Sequence, residues 1–330
     1  MVGQGKIRAV ALLVAVAVVA ALVAGALTAK AGAGGGGSKG NLLWVQPLRD
    51  HPVHRLMQAG FMQRCKQIGW TCEIVGNPSA SEFDVPATIA LAEASLARKE
   101  FKAAGIYSPD PAIYPFIRKV SKQGLPVVSW HIPIKQGTVQ GLTATTGTDP
   151  AAYARASAVA IGRRIGGRGT VAVTEGSFNT VENLVAKTFT ATMKQRYPNV
   201  KVLKPQVEGF EPSAAIAKAV SILQANQDVT AAFSTTGGGP ATWAGAQRQA
   251  GKKLVIIGMD YVRQNLDLVR KGEVYAVVGQ PLYEESARTA DLLAALASGK
   301  KVPYSNNLPA PIITKAKLGK YYALLKRAGQ

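Results

Sequence analysis

The chain has 330 residues with 39 Lys+Arg against 19 Asp+Glu, a formal charge of +20, and 47% of its residues are hydrophobic. The length suits two domains better than one compact core, and the apolar content argues against disorder. Two cysteines are too few for a disulfide framework or a Cys-rich zinc module, and His51, His54 and His131 form no H-E-x-x-H pair.

Residues 1–31 read as an address. Lys6 and Arg8 precede an uninterrupted apolar run from Ala9 to Leu27, followed by the A-x-A pattern Ala29-Lys30-Ala31. That is the pattern of a secretory signal peptide, although the run also approaches the length of an N-terminal membrane anchor. Either reading places the remainder outside the cytoplasm, in the periplasm or on the outer face of the membrane. Residues 32–41, with Gly34 to Gly37, read as a flexible linker. Lys6, Arg8, Lys30 and Lys39 are the only charges among residues 1–40, which leaves +16 on residues 41–330. Those basic residues are scattered, many at expected helix ends such as Arg98-Lys99, Arg163-Arg164 and Arg270-Lys271, where cations suit the helix dipole. No basic segment is interleaved with stacking aromatics, so nucleic acid is not an expected partner. Cys65 and Cys72 lie seven apart; export permits a bridge between them, and spacing alone does not decide it.

From Leu42 the pattern alternates. Short apolar runs at Leu42–Val45, Cys72–Val75, Ala104–Tyr107 and Val127–Trp130 read as buried parallel strands, with helices over 52–68, 84–99 and 111–123 between them. Pro52 and Pro111 suit first helical positions, and Gly69 and Gly124 suit helix ends. After Leu142–Thr146 the pattern restarts: strand 170–174, helix 179–196, strand 200–203, helix 212–226, strand 229–234, helix 240–250, strand 254–259, helix 262–271 and strand 274–278. Two runs of βαβα predict an α/β protein with two doubly wound parallel sheets. No G-x-G-x-x-G follows the first strand, so no dinucleotide cofactor is expected. Gly237-Gly238-Gly239 between strand and helix reads as a flexible turn or as a backbone approach to an anion. Open α/β sheets bind ligands outside the carboxyl ends of their strands, which points to the cleft between two such domains.

Six segments in order carry a resemblance. They are Val45-Gln46-Pro47-Leu48-Arg49-Asp50-His51-Pro52 with Gly69-Trp70; Gly124-Leu125-Pro126-Val127-Val128-Ser129-Trp130-His131; Gly147-Thr148-Asp149; Gly169-Thr170-Val171-Ala172-Val173 with Gly176; Ile256-Ile257-Gly258-Met259-Asp260; and Gly279-Gln280-Pro281. Over about Leu42 to Leu318 the chain resembles the type I periplasmic binding proteins, in the sugar-binding branch of ABC importers. The resemblance implies two lobes, 42–147 plus 281–306 and 148–280 plus 307–330, joined by three hinge crossings near 129–148, 279–283 and 306–312. It also implies closure on a small solute, no chemistry and no cofactor, delivery to a membrane permease, and a monomer.

Carried over residue by residue, Asp260 falls on the carboxylate that accepts ligand hydroxyls and Gln280 on the amide ligand group. Phe210 falls on an aromatic wall, Thr236 on a position often held by Asn, and Ser108 on a polar strand end. Asn183 stands where many relatives carry a guanidinium. The departures are larger around the histidines. Relatives place an Asp-Arg pair where this chain has His131-Ile132, and aromatics where it has Val53-His54; His51 stands before the proline, where Asn is frequent. All three histidines thus fall on the expected cleft, and Trp130 beside His131 and Trp243 offer a stacking wall or core packing. Without the guanidinium the pocket is expected to suit an ordinary pyranose less well and a sugar-like solute with a carboxylate, phosphate or mixed donors better, an acidic one included. A three-imidazole metal site is the sharper alternative. Rival readings are a same-fold receptor feeding a membrane kinase or chemoreceptor, and an exported hydrolase, for which no G-x-S-x-G elbow is present. A same-fold transcription regulator needs an N-terminal helix-turn-helix where this chain has its address.

Overall fold

A computed structural model describes residues 38–330; the leader expected over 1–31 and all but the end of the linker expected over 32–41 lie outside the described residues. In chain order the elements begin β1 (Asn41–Val45), α1 (Pro52–Ile68), β2 (Thr71–Val75), α2 (Val85–Arg98), β3 (Ala103–Tyr107), a 3-10 turn (Pro111–Ile113) leading into α3 (Tyr114–Lys122), β4 (Val127–Trp130) and β5 (Leu142–Gly147). They continue α4 (Pro150–Arg164), β6 (Gly169–Glu175), α5 (Thr180–Arg196), β7 (Val200–Val202), β8 (Gln206–Val207), α6 (Pro212–Ala225), β9 (Val229–Ser234), α7 (Gly239–Gln249), β10 (Val255–Met259), α8 (Arg263–Lys271) and β11 (Ala276–Val278). The last are α9 (Leu282–Ala297), β12 (Ser305–Asn307), β13 (Ile312–Thr314), a 3-10 turn (Lys315–Lys317) and α10 (Leu318–Arg327).

The strands form two sheets, ordered β12-β5-β4-β3-β1-β2 and β13-β11-β10-β9-β6-β7, with β8 also paired to β6. All pairings are parallel except β11 with β13, an antiparallel edge. In the first sheet Leu42 and Trp44 face α1 and α9, while Leu43 and Val45 face α2 and α3, so the central strand β1 is buried on both sides. The second sheet is covered in the same way, with Phe189 of α5 stacked on Phe233 of β9 at 4.4 Å.

Local chemistry sets the helix ends. Pro52 starts α1, and Gly69, at φ 76°, ends it with its N–H on the last carbonyls. Side chains of Asp84, Asp149, Asn179 and Glu211 accept from the first free N–H groups of α2, α4, α5 and α6. Cys65 and Cys72 are bridged, with Cα atoms 6.2 Å apart, tying the last turn of α1 to β2.

The chain passes between the sheets at three places, from β5 into α4, from β11 into α9, and from β12 into β13. The passages are tied together by Leu308 N–H to Gly147 O and Gly279 N–H to Pro311 O, both 2.8 Å. Helices α4, α9 and α10 and strands β12 and β13 have no counterpart among the expected elements. Two of these helices carry residues that bear directly on the site.

Candidate functional site

The carboxyl ends of both sets of strands open onto one cavity, with about 90 Å³ of room for the centres of water-sized groups. Three of its lining residues are the only non-glycine residues with positive φ among those described: Leu48 at 52°, His131 at 70° and Asp260 at 72°. Left-handed backbone is costly for residues with a Cβ, so it persists where surrounding structure over-determines it, and here all three instances meet at one place.

The first lobe supplies rings. His51 and His54, at the start of α1, have ring centroids 5.8 Å apart; His54 meets Tyr107 edge-on at 5.6 Å, and Tyr107 meets His131 at 5.6 Å and Phe83 at 6.3 Å. Burial pulls His51 down to about 4 and, with the neighbouring imidazoles, His54 down to about 3. Both rings are therefore neutral at pH 7. His54 Nδ1 lies 2.7 Å from the Pro47 carbonyl, which only accepts, so Nδ1 carries the proton and Nε2 keeps its lone pair. His131 differs. Burial pulls it down, but the charge of Glu285 and a 2.5 Å hydrogen bond to Glu285 Oε1 outweigh burial and raise it.

The second lobe supplies carboxylates. Asp260 closes β10; burial lifts it to about 7, and its Oδ1 has no hydrogen-bond partner in the protein. Asn265 on α8 pins this turn, its Nδ2 donating to the carbonyls of Gly237 (2.9 Å), Met259 (3.0 Å) and Asp260 (3.1 Å). Glu182 on α5 accepts from Gly176 N–H (2.6 Å), Asn179 Nδ2 (2.8 Å) and Thr235 Oγ1 (2.5 Å), yet burial still raises it. Behind it stand Glu175 and Glu208, both lifted to about 7 by burial, with the charge of Glu182 adding to the rise. Tyr153 of α4 and Phe210 complete this wall.

Of the ten expected ligand residues, the structure brings His51, His54, His131, Phe210, Thr236, Asp260 and Gln280 to the cavity wall. Three expectations need correction. Ser108 is buried and its hydroxyl donates back to Ile106 O at 3.0 Å; alternation along the strand end turns Tyr107 and Pro109 to the cavity instead. Trp130 is fully buried beneath the wall, stacked on Trp44 at 3.8 Å. Asn183 is exposed, because Asn179 sets the start of α5 so that Glu182, one residue earlier, turns back toward the cavity. Trp243 also lies in the core, its Nε1–H donating to Thr174 Oγ1 at 2.9 Å. The triple glycine is neither a loose turn nor an anion cradle. Gly238 N–H is taken by Thr236 Oγ1 and Gly239 N–H by Thr236 O, and a Cβ at Gly237 would lie 2.5 Å from Val53 of the opposite lobe. Among the described residues no three His, Cys, Asp or Glu side chains are placed to hold a metal ion. The three-imidazole metal site therefore finds no support among the described residues.

Tyr107, Phe83, Glu182, Tyr153 and Glu285 were not expected. Only Glu182 had a signal in the sequence, the Asn179-x-x-Glu182 spacing of a helix start whose third residue points back to the cap.

A profile of the periplasmic binding protein domain matches residues 42–301. The structure superposes on a glucose-galactose binding protein from Geobacillus stearothermophilus with TM-score 0.77 at 22% identity, over 84% of this chain and 98% of that one. It also superposes on an ABC transporter solute-binding protein from Agrobacterium vitis with bound D-fucose (TM-score 0.79, 22% identity, 86% and 98% covered). A second Agrobacterium vitis protein, bound with α-D-tagatopyranose, gives TM-score 0.78 at 18% identity over 87% and 98%. At these identities the likeness is one of fold.

Proposed function

The chain belongs to the periplasmic binding protein domain family, and on that premise we propose that it is the exported solute-binding protein of an ABC importer, holding one small sugar between its lobes and handing it to a membrane permease. The lobes are 42–147 plus 281–306 and 148–280 plus 307–330; they close as a monomer about the three passages. Binding is the whole of the activity, because a solute that favours the closed form shifts the lobes toward it without any bond being made.

The observation that carries this reading is Asp260 Oδ1, a buried acceptor with no protein partner, at the wall of a cavity lined by both lobes. A buried carboxylate oxygen left unpaired is costly, and paired sugar hydroxyls satisfy it. The rings of Tyr107, Tyr153, Phe83 and Phe210 suit the C–H faces of a sugar. The acidic solute expected above is not favoured, since among the described residues no Lys or Arg lines the cavity and His51 and His54 are held neutral.

The test is a thermal-shift screen of neutral monosaccharides, followed by calorimetric titration of each hit. A solute at about 100 times its Kd adds about 2.7 kcal/mol of stability. A saturable one-to-one heat that Asp260→Asn weakens supports the reading; turnover of a bound sugar, or binding untouched by that substitution, overturns it.

A further inference from the structure

Five of the chain's 19 acidic residues gather around one cavity in a molecule that is otherwise strongly basic. Glu182 and Asp260 line it, while Glu175, Glu208 and Glu285 stand immediately behind. Each of Glu175, Glu208, Asp260 and Glu285 has one carboxylate oxygen that is buried and without a hydrogen-bond partner. Among the described residues the one group in the cavity wall that burial and neighbours favour as a cation is His131, and Glu285 pairs with it. Such an arrangement gathers carboxyls that burial makes costly to ionise while no cation stands beside them, and it is walled by aromatic rings whose faces attract cations. A neutral sugar leaves that imbalance in place, and an anionic one worsens it.

We propose that the solute carries a protonated amine, as in an amino sugar or an amino-substituted cyclic polyol, with its ammonium between Glu182 and Asp260 and its hydroxylated ring against Tyr107 and Tyr153. This rests on the reading of the cavity as a sugar site and adds the charge class of the solute. The phenols report the same space: burial, and then the charges of Glu182, Asp260 and Glu285, push Tyr107 up, and the same carboxylates act on Tyr153. Both rings line the same cavity as Glu182 and Asp260, which an ammonium would join. An ammonium donates three hydrogen bonds and accepts none, which matches a wall of acceptors.

The experiment titrates the full chain with matched probes: D-glucose and D-galactose, D-glucosamine and D-galactosamine, their N-acetyl forms, and D-glucuronate. The amines are expected to bind at least about tenfold tighter than the corresponding neutral sugars, and N-acetylation, which removes the charge, is expected to abolish the difference. Glu182→Gln is expected to weaken binding of the amines by a larger factor than binding of the matched neutral sugars, so that the amine preference shrinks. Neutral sugars binding as tightly as or tighter than their amines overturns this inference and leaves the sugar-binding reading standing. Preferred binding of glucuronate overturns the inference too. Failure of every probe counts against both. Should Glu182→Gln fold poorly, the wild-type comparison of amine, neutral and N-acetyl forms decides alone.

Discussion

Gly237 offers the sharpest test of closure. Its φ lies outside the left-handed region, so alanine is compatible with the local backbone. A Cβ there would nevertheless sit 2.5 Å from Val53 Cγ2 and 2.5 Å from Asp260 Oδ2. Carbon atoms in contact prefer about 3.5–4.0 Å, so the lobes must part by about 1 Å at this point or Val53 must leave its rotamer, which a β-branched residue resists. Overpacking of this kind costs about 1–3 kcal/mol. The Val53 part of that cost falls on the closed form alone, because Val53 and Gly237 belong to opposite lobes and separate on opening, whereas the Asp260 contact lies within one lobe and persists. Gly237→Ala is therefore expected to raise the Kd of the tightest-binding sugar by about 5- to 150-fold. The melting temperature without sugar should fall only by what moving the Asp260 carboxylate aside costs, since opening relieves the Val53 clash. Calorimetric titration and thermal unfolding of Gly237→Ala, Val53→Ala and the double variant give the coupling directly. Restored affinity in the double variant marks the clash as its cause. Wild-type affinity in Gly237→Ala would refute the reasoning, because it would mean that sugar binds without bringing these two residues together.

Four further outcomes follow from the same geometry. Asp260, Glu175 and Glu208, lifted to about 7, keep protons that the unfolded chain has released, so each weakens folding as pH rises from the ordinary carboxylate range to about 7. His131 contributes stability that is full below about pH 6.5 and lost as pH rises through its raised value, whereas His51 and His54 act in the opposite sense and only below about pH 6.5. Melting without sugar should thus fall as pH rises from about 5 to 8, because the raised carboxyls outnumber the two lowered imidazoles below about 6.5; a rise from about 6.5 to 8 contradicts this. Glu285→Gln removes the charge facing His131, and its loss of stability should be larger at about pH 6 than at about pH 8.5, read by denaturant titration at both. Asn265→Ala frees the Asp260 turn and should weaken sugar binding by about tenfold, with a loss of about 1–3 kcal/mol from the buried carbonyls left unpaired. Replacing Cys65 and Cys72 by alanine should lower stability by about 2 kcal/mol on loop-closure grounds and leave sugar affinity unchanged, since the bridge lies at the opposite end of α1 from His51 and His54.

What was legible in the sequence and what was not divides along physical lines. Parallel strands buried on both faces announce themselves as short apolar runs, and the residues just after them, His131, Asp260 and Gln280, follow once the strand ends are placed. Side-chain direction at those ends is harder to read. Ser108 and Tyr107 differ by one residue and face opposite ways, and Asn183 and Glu182 exchange roles because a cap hydrogen bond at Asn179 sets the phase of α5. Trp130 was placed at the right strand but in the wrong layer, since a fully buried tryptophan and a stacking wall leave the same trace in sequence. Tyr153 and Glu285 left no trace because their helices did not. The alanine-rich run Pro150–Arg164 has no clear apolar stripe, and Glu285 is an acid buried in the first turn of α9, explained by its partner His131 154 residues earlier in the chain. Strands β12 and β13 are three residues each and exist through pairing at the sheet edges rather than through propensity.

The central claim is that sugar lies between the lobes, and a lock across the cleft tests it most directly. Val53 and Gly237 are close enough for a disulfide between cysteines placed there. The Val53→Cys, Gly237→Cys chain is oxidised once empty and once saturated with the tightest-binding sugar, and each form is dialysed and titrated. The account predicts that the chain locked empty takes up no sugar, that the chain locked full retains it through dialysis, and that selective reduction of the new bridge restores exchange in both. Ordinary sugar binding by the chain locked empty would contradict it.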